Sequence, residues 1–100
     1  MGRKVKSRQL RPVVVVEDGA VVEVFPGCGL PVVVDFDENP EAQYFAVGVD
    51  DAEIVDTVED LATALKVARE ALAKGARKVD LEVLDEEGHI LELFVLHEEE

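Results

Sequence analysis

One thiol, two imidazoles and one serine are the side chains here whose chemistry reaches beyond that of carboxylates and amines. Cys28 sits in FPGCGLP, residues 25–31, between two glycines and two prolines. A cysteine nucleophile needs a neighbouring base or positive charge to lower its pKa. The nearest histidine in sequence is His89, the surroundings are acidic, and Val34 stands where a phosphatase-type loop carries arginine. The segment therefore reads as a tight reversal between two strands, with Cys28 as a small residue near its tip.

The other candidates fare no better. His89 and His97 fall eight residues apart on one expected strand, on the same side but roughly 26 Å from each other, too far to share a metal. They read as a turn residue and a frayed end. Ser7 lies in a basic terminus, and the two threonines, Thr57 and Thr63, fall at or inside a helix, which leaves no serine-type triad. Asp35, Asp37 and Asn39 match three ligand positions of a calcium loop, but Pro40 occupies its obligatory glycine and Ala46 its bidentate glutamate. GCGLP neither continues as a dinucleotide fingerprint nor leads into a helix. No catalytic, cofactor or metal residue is assigned, and no enzyme is expected.

Charge is the larger signal. The chain has 10 basic and 23 acidic residues, a net charge of -13. Arg3, Lys4, Lys6, Arg8 and Arg11 are concentrated in residues 1–11 without an acid, so the rest of the chain is more acidic still. A body of this sign repels phosphate, and duplex nucleic acid is not an expected ligand. It suits a basic protein partner, with Asp35, Asp37, Glu38, Asp50, Asp51 and Glu53 as the candidate contact residues.

One hundred residues, 48% of them hydrophobic, make one folding unit, expected over residues 12–100 behind a flexible basic arm at 1–11. No apolar run approaches the ~20 residues that span a bilayer, MGRKVKS is not a signal peptide, and a lone cysteine forms no internal disulfide. A reducing, cytoplasmic setting follows as the expectation.

PVVVVEDGAVVEVF predicts a hairpin about Asp18-Gly19, where a type I′ turn needs two positive φ values. Pairing Glu17 with Ala20 puts Val13, Val15, Val22 and Val24 on one face and Val14, Val16, Val21 and Phe25 on the other, with Glu23 its only charge. Both faces then require cover. PVVVDF resumes a strand. QYFAVGV, residues 43–49, and Glu53–Thr57 suggest a second hairpin. Thr57 predicts a helix N-cap with Asp60 reaching back, and Lys74-Gly75 predicts the helix end. Between them Leu61, Leu65, Ala68 and Leu72 form one apolar stripe, flanked by Val58, Ala64 and Ala71. KVDLEVLDEEGHILELFVL closes the chain as a hairpin in which Gly88 takes a left-handed position. Val79, Leu81 and Val83 alternate there with Asp80 and Glu82; Leu91, Leu93 and Val95 share one face of the returning strand.

The fold expected is α+β: six or seven strands in a strongly coiled or two-layer, mostly antiparallel sheet, with one helix, in the order β-β-β-β-β-α-β-β. One helix cannot cover so many apolar faces, so a homodimer is expected where closure fails.

VEVFPGCG, followed later by VDTVEDLATALKVAREAL, resembles HicB-type antitoxins, in which a strand ending in a Pro-Gly-Cys turn precedes a helix of this start. Here residues 30–54 separate the two pieces. The resemblance implies a small acidic protein that neutralises a basic partner. The expected function is therefore a non-enzymatic, inhibitor-type binding module. The caps, alternation and Ala/Glu/Lys/Leu filling of the helix and last hairpin also fit a designed or structural scaffold without native activity.

Overall fold

The computed structural model describes residues 9–53 and 57–99, with only the backbone of Glu53. The chain is α+β: β1 (Val13–Glu17), β2 (Ala20–Phe25), β3 (Val32–Asp35), β4 (Tyr44–Val49), β5 (Ala52–Glu53), α1 (Leu61–Ala73), β6 (Lys78–Leu84) and β7 (Ile90–Glu98). Two sheets form, one ordered β2-β1-β3 and one β5-β4-β6-β7. All pairings are antiparallel except β1 with β3.

FPGCGLP reverses the chain between β2 and β3, as expected, but the two strands lie on either side of β1 and do not pair with each other. The loop carries the chain from one edge of the small sheet across the root of β1 to the other edge. Cys28 donates its backbone N–H to the Leu10 carbonyl at 2.9 Å, and Val32 donates to Pro12 at 2.8 Å. Gly27 lies so close to this root that a Cβ would stand 2.6 Å from Arg11 C and from Pro12 N, and nearer still to the Leu10 oxygen. The glycine is required by the crossing, since backbone there cannot yield to a side chain.

Asp18 (φ 55°) and Gly19 (φ 73°) form the expected turn, and Glu17 pairs with Ala20. Beyond Val16↔Val21, however, Val22 is an extra residue: Val15 faces Glu23, Val14 faces Val24 and Val13 faces Phe25. A bulge of this kind swaps every later side chain of its strand to the opposite face. Val13 and Val15 therefore join Phe25 towards the interior, while Val24 joins Val14, Val16 and Val21 outside. Cover on both faces, expected from the sequence, is not found among the described residues: Val21, Val24 and Val33 stay 60%, 57% and 46% exposed.

The interior is shared by both sheets and the helix. Val13, Val15, Val32 and Val34 of the small sheet meet Phe45, Val47, Val79, Leu81, Val83 and Leu96 of the large one. The predicted stripe Leu61, Leu65, Ala68 and Leu72 is buried against them together with Ala64. Each buried leucine is worth about 1.5–3 kcal/mol, enough to hold a 13-residue helix that would not persist alone. Phe36 meets Phe45 edge-on, centroids 6.2 Å apart, and closes one end of the core.

The helix begins later than Thr57 predicts. Asp60 is the N-cap, and its carboxylate accepts from the Thr63 hydroxyl at 3.1 Å instead of from a backbone N–H. Val58 lies before the helix and exchanges two hydrogen bonds with Phe45, so a bridge to β4 overrides the capping pattern. The far end follows expectation: Gly75 donates to Leu72 and Ala76 to Ala71, the double closure that a left-handed glycine permits.

Two further boundaries move. Leu10 is buried, and Arg11 donates its backbone N–H to Leu96 and its guanidinium to the carbonyls of Leu30 (2.7 Å) and Val95 (2.9 Å). Leu10 and Arg11, expected in the basic arm, belong to the folded body; residues 1–8 lie outside the described residues. The strand predicted over 53–57 is described only at Ala52–Glu53, since residues 54–56 also lie outside them. His97 is paired with Val79 inside β7, where a frayed end was expected.

Candidate functional site

The six acidic candidates separate into two groups at opposite ends of β4. Asp35, Asp37 and Glu38 precede it, and Asp50, Asp51 and Glu53 follow it. The second group is mostly engaged in structure. Asp50 and Asp51 both take positive φ, 52° and 66°, in a two-residue turn. One Asp50 carboxylate oxygen accepts the backbone N–H groups of Arg77 (2.8 Å) and Lys78 (3.0 Å), and Asp51 pairs with the Lys78 ammonium at 3.0 Å. That contact is the main cause that raises the Lys78 pKa.

The first group has acidic company that the sequence reading passed over. Asp37 accepts the N–H groups of Asp18 (2.8 Å) and Gly19 (2.7 Å), tying the loop after β3 to the tip of the β1–β2 hairpin. Asn39 donates to Glu92 at 2.7 Å, and Gln43 donates to the Leu84 carbonyl at 2.8 Å, which brings the β6–β7 turn alongside. Glu17 and Asp18 line one shallow depression with Asp37; Glu41, Asp85, Glu86 and Glu87 line another next to it. Glu59 and Asp60 follow Val58 at the same end. The described lysines and arginines lie elsewhere: Arg11 at the root of β1, Lys66 midway along α1, and Arg69, Lys74, Arg77 and Lys78 towards or beyond its far end. The described lysines and arginines are thus kept away from this end, whereas acids such as Asp50, Asp51 and Glu98 accompany them at the other. No single stretch of sequence shows this, because the carboxylates come from three separate loops.

Within this end, Asp85, Glu87 and His89 place a ligand-capable atom each within 4.8 Å of one another. Histidine spacing alone had pointed away from metal. Asp85 already spends one oxygen on the backbone N–H groups of Glu87 (2.9 Å) and His89 (2.8 Å), which lower its pKa, and Gly88 closes the turn in the left-handed region. The cluster is accounted for by that turn.

Cys28 is exposed and forms no disulfide. Near it a cavity of about 300 Å³ opens between α1 and the root of the small sheet, lined by Leu10, Val13, Phe25, Leu65 and Leu72, with Arg69 alongside. On the large sheet, Asp80 and Glu82 are both 8% exposed on the outward face, opposite Val95 and Leu93. Among the described residues the Asp80 Oδ1 atom has no hydrogen-bond partner, and burial, the largest influence on the group, raises its pKa. No described helix is long and apolar enough to cross a membrane.

Comparison of the chain with models of protein families, with curated proteins and with solved structures finds no match.

Proposed function

We propose that the chain is a non-enzymatic, inhibitor-type binding module whose acidic end engages a basic protein. The observation that carries this is the gathering of Glu17, Asp18, Asp35, Asp37, Glu38, Glu41, Asp85, Glu86 and Glu87 at one end, away from every described lysine and arginine. Like charges held together raise the field over that end and steer a cationic partner to it, while repelling nucleic-acid phosphate. Asp35, Asp37 and Glu38 remain in the proposed contact surface. Asp50, Asp51 and Glu53 leave it, because they lie at the other end of β4. The HicB-like segments are consistent with such a role, and the unpaired thiol of Cys28 fits a reducing compartment such as the cytoplasm.

The test uses an arginine-rich peptide and calorimetric titration at low and high salt. Binding is expected at low salt and should weaken as salt screens the charges. Glu38→Gln, Glu41→Gln, Glu86→Gln and Glu87→Gln together, all exposed, should weaken it about tenfold, since exposed pairs contribute about 0.2–1 kcal/mol each. No binding at low salt, or binding that this variant leaves intact, overturns the proposal and leaves a scaffold without native activity.

A further inference from the structure

The bulge at Val22 turns Phe25 inward, in register with Val13 of β1, and so gives the cavity beside α1 one of its walls. Leu10, Val13, Leu65 and Leu72 complete an apolar lining around about 300 Å³, and all four are buried members of the common core. The loop beside it cannot sink towards the root of β1. Gly27 already lies against the backbone of Leu10, Arg11 and Pro12, and Cys28 and Val32 are hydrogen-bonded to the same root. A hollow held open by packed backbone and lined by hydrocarbon offers water few hydrogen bonds, and its volume falls at the lower end of the range for ligand pockets. It suits a small apolar body.

We propose that this cavity binds a small amphipathic carboxylate, with its hydrocarbon body among Leu10, Val13, Phe25, Leu65 and Leu72 and its head group on Arg69. The charges at the mouth select this occupant. Arg69 is exposed and lines the opening. Its neighbours one helical turn away are Lys66, Leu65, Leu72 and Ala73, so no acid of α1 is placed to pair with it, and among the described residues it makes no ion pair. Arg11, the other cation in the lining, spends its guanidinium on the carbonyls of Leu30 and Val95. Neither Glu23 on β2 nor Glu70 on α1 belongs to the lining; Glu70 borders a different depression, beside Lys74. The mouth is thus locally positive on a chain of net charge -13. One uncommitted guanidinium matches one carboxylate, which it can hold through two parallel N–H bonds, whereas a doubly charged phosphate calls for more donors than remain. At roughly 30 Å³ for each water-sized group, the hollow takes about ten non-hydrogen atoms, the size of octanoate.

Calorimetric titration of the full chain with sodium octanoate, kept below its self-association, should show saturable binding of one molecule per chain. Methyl resonances of Leu10, Val13, Leu65 and Leu72 should shift as it binds. Arg69→Gln, at an exposed position, should keep the circular dichroism of the parent and weaken octanoate by about tenfold or more, while leaving the binding of uncharged octanol unchanged. Ala73→Leu sets a larger side chain in the mouth without disfavouring the helix, and should weaken both probes. Absence of saturable octanoate binding overturns the proposal, and a cavity already filled by residues 1–8 of the chain would give that result. So does binding indifferent to both substitutions, or methyl shifts confined to Val21, Val24 and Val33 on the exposed face of the small sheet. No basic protein enters the titration, so its outcome is independent of whether the acidic end binds one.

Discussion

Asp80 and Asp85 sit on the same hairpin, yet the protein treats their charges in opposite ways. Asp85 accepts two backbone N–H groups, which favour its carboxylate and lower its pKa. Its contribution to stability is present above the ordinary carboxylate pKa and is lost as pH falls through the lowered value. Asp80 is buried, with one oxygen unpartnered among the described residues, and its pKa is raised from 3.8. A raised carboxyl favours the fold only while protonated, and that advantage disappears as pH rises through the folded-state pKa. Asp80→Asn is therefore expected to match or exceed the parent in urea stability at pH 7, with the difference shrinking below pH 3.8. Asp85→Asn should be less stable at pH 7 and lose the acid sensitivity that Asp85 supplies. Parallel urea titrations of both variants across this range test the pair. The same sign for both would refute the assignment.

At the scale of elements, the crossing loop and the bulge show where pattern reading succeeds and stops. The helix stripe Leu61, Leu65, Ala68 and Leu72 and the alternation of Val79, Leu81 and Val83 were legible, because a period of 3.6 or 2 records burial directly. Asp18-Gly19 was legible because few residues accept two positive φ values. Val22 was not. A bulge leaves the composition of a valine run unchanged while reversing which valines face water, and only the pairing of Val15 with Glu23 reveals it. The acidic end was half legible: Asp35, Asp37, Glu38 and Glu41 are neighbours in sequence, whereas Asp85, Glu86 and Glu87 join them only once β4 and β6 pair. Gly27 is, by sequence, one of two glycines in a reversal, and only the structure shows that it is required for lack of space. Gly27→Ala forces a methyl into the backbone of Leu10, Arg11 and Pro12, and the hydrogen bonds of Cys28 and Val32 prevent the loop from backing away. The expected loss is about 1–3 kcal/mol by denaturant titration, the range for overpacking a rigid site. Cys28→Ala, on the exposed side of the same loop, should change stability little.

Taken whole, the molecule is two sheets whose inner faces share a core, and Arg11 is a principal polar join between them. Its backbone N–H meets Leu96, one guanidinium nitrogen meets Val95 on β7, and another meets Leu30 in the crossing loop. Pro31 receives a longer contact at 3.5 Å. A planar guanidinium can serve several carbonyls at fixed angles, whereas an ammonium acts as a compact point charge. Arg11→Met keeps the aliphatic stem and the backbone bond but removes the fork. Hydrogen bonds to charged groups are worth about 1.5–3 kcal/mol, so the two short ones together imply a loss of about 3–6 kcal/mol where nothing replaces them. Water can reach the Leu30 side of the contact, which places the expected loss at the lower end of that range. Arg11→Lys should fall between Arg11→Met and the parent, because one donor can still reach Val95. If the join is essential, hydrogen exchange of the Arg11→Met variant should rise first at Val32 and at Cys28, whose bonds cross the root of β1, while amides on β6 remain protected. Uniform loss of protection across both sheets would mean that the apolar core alone couples them.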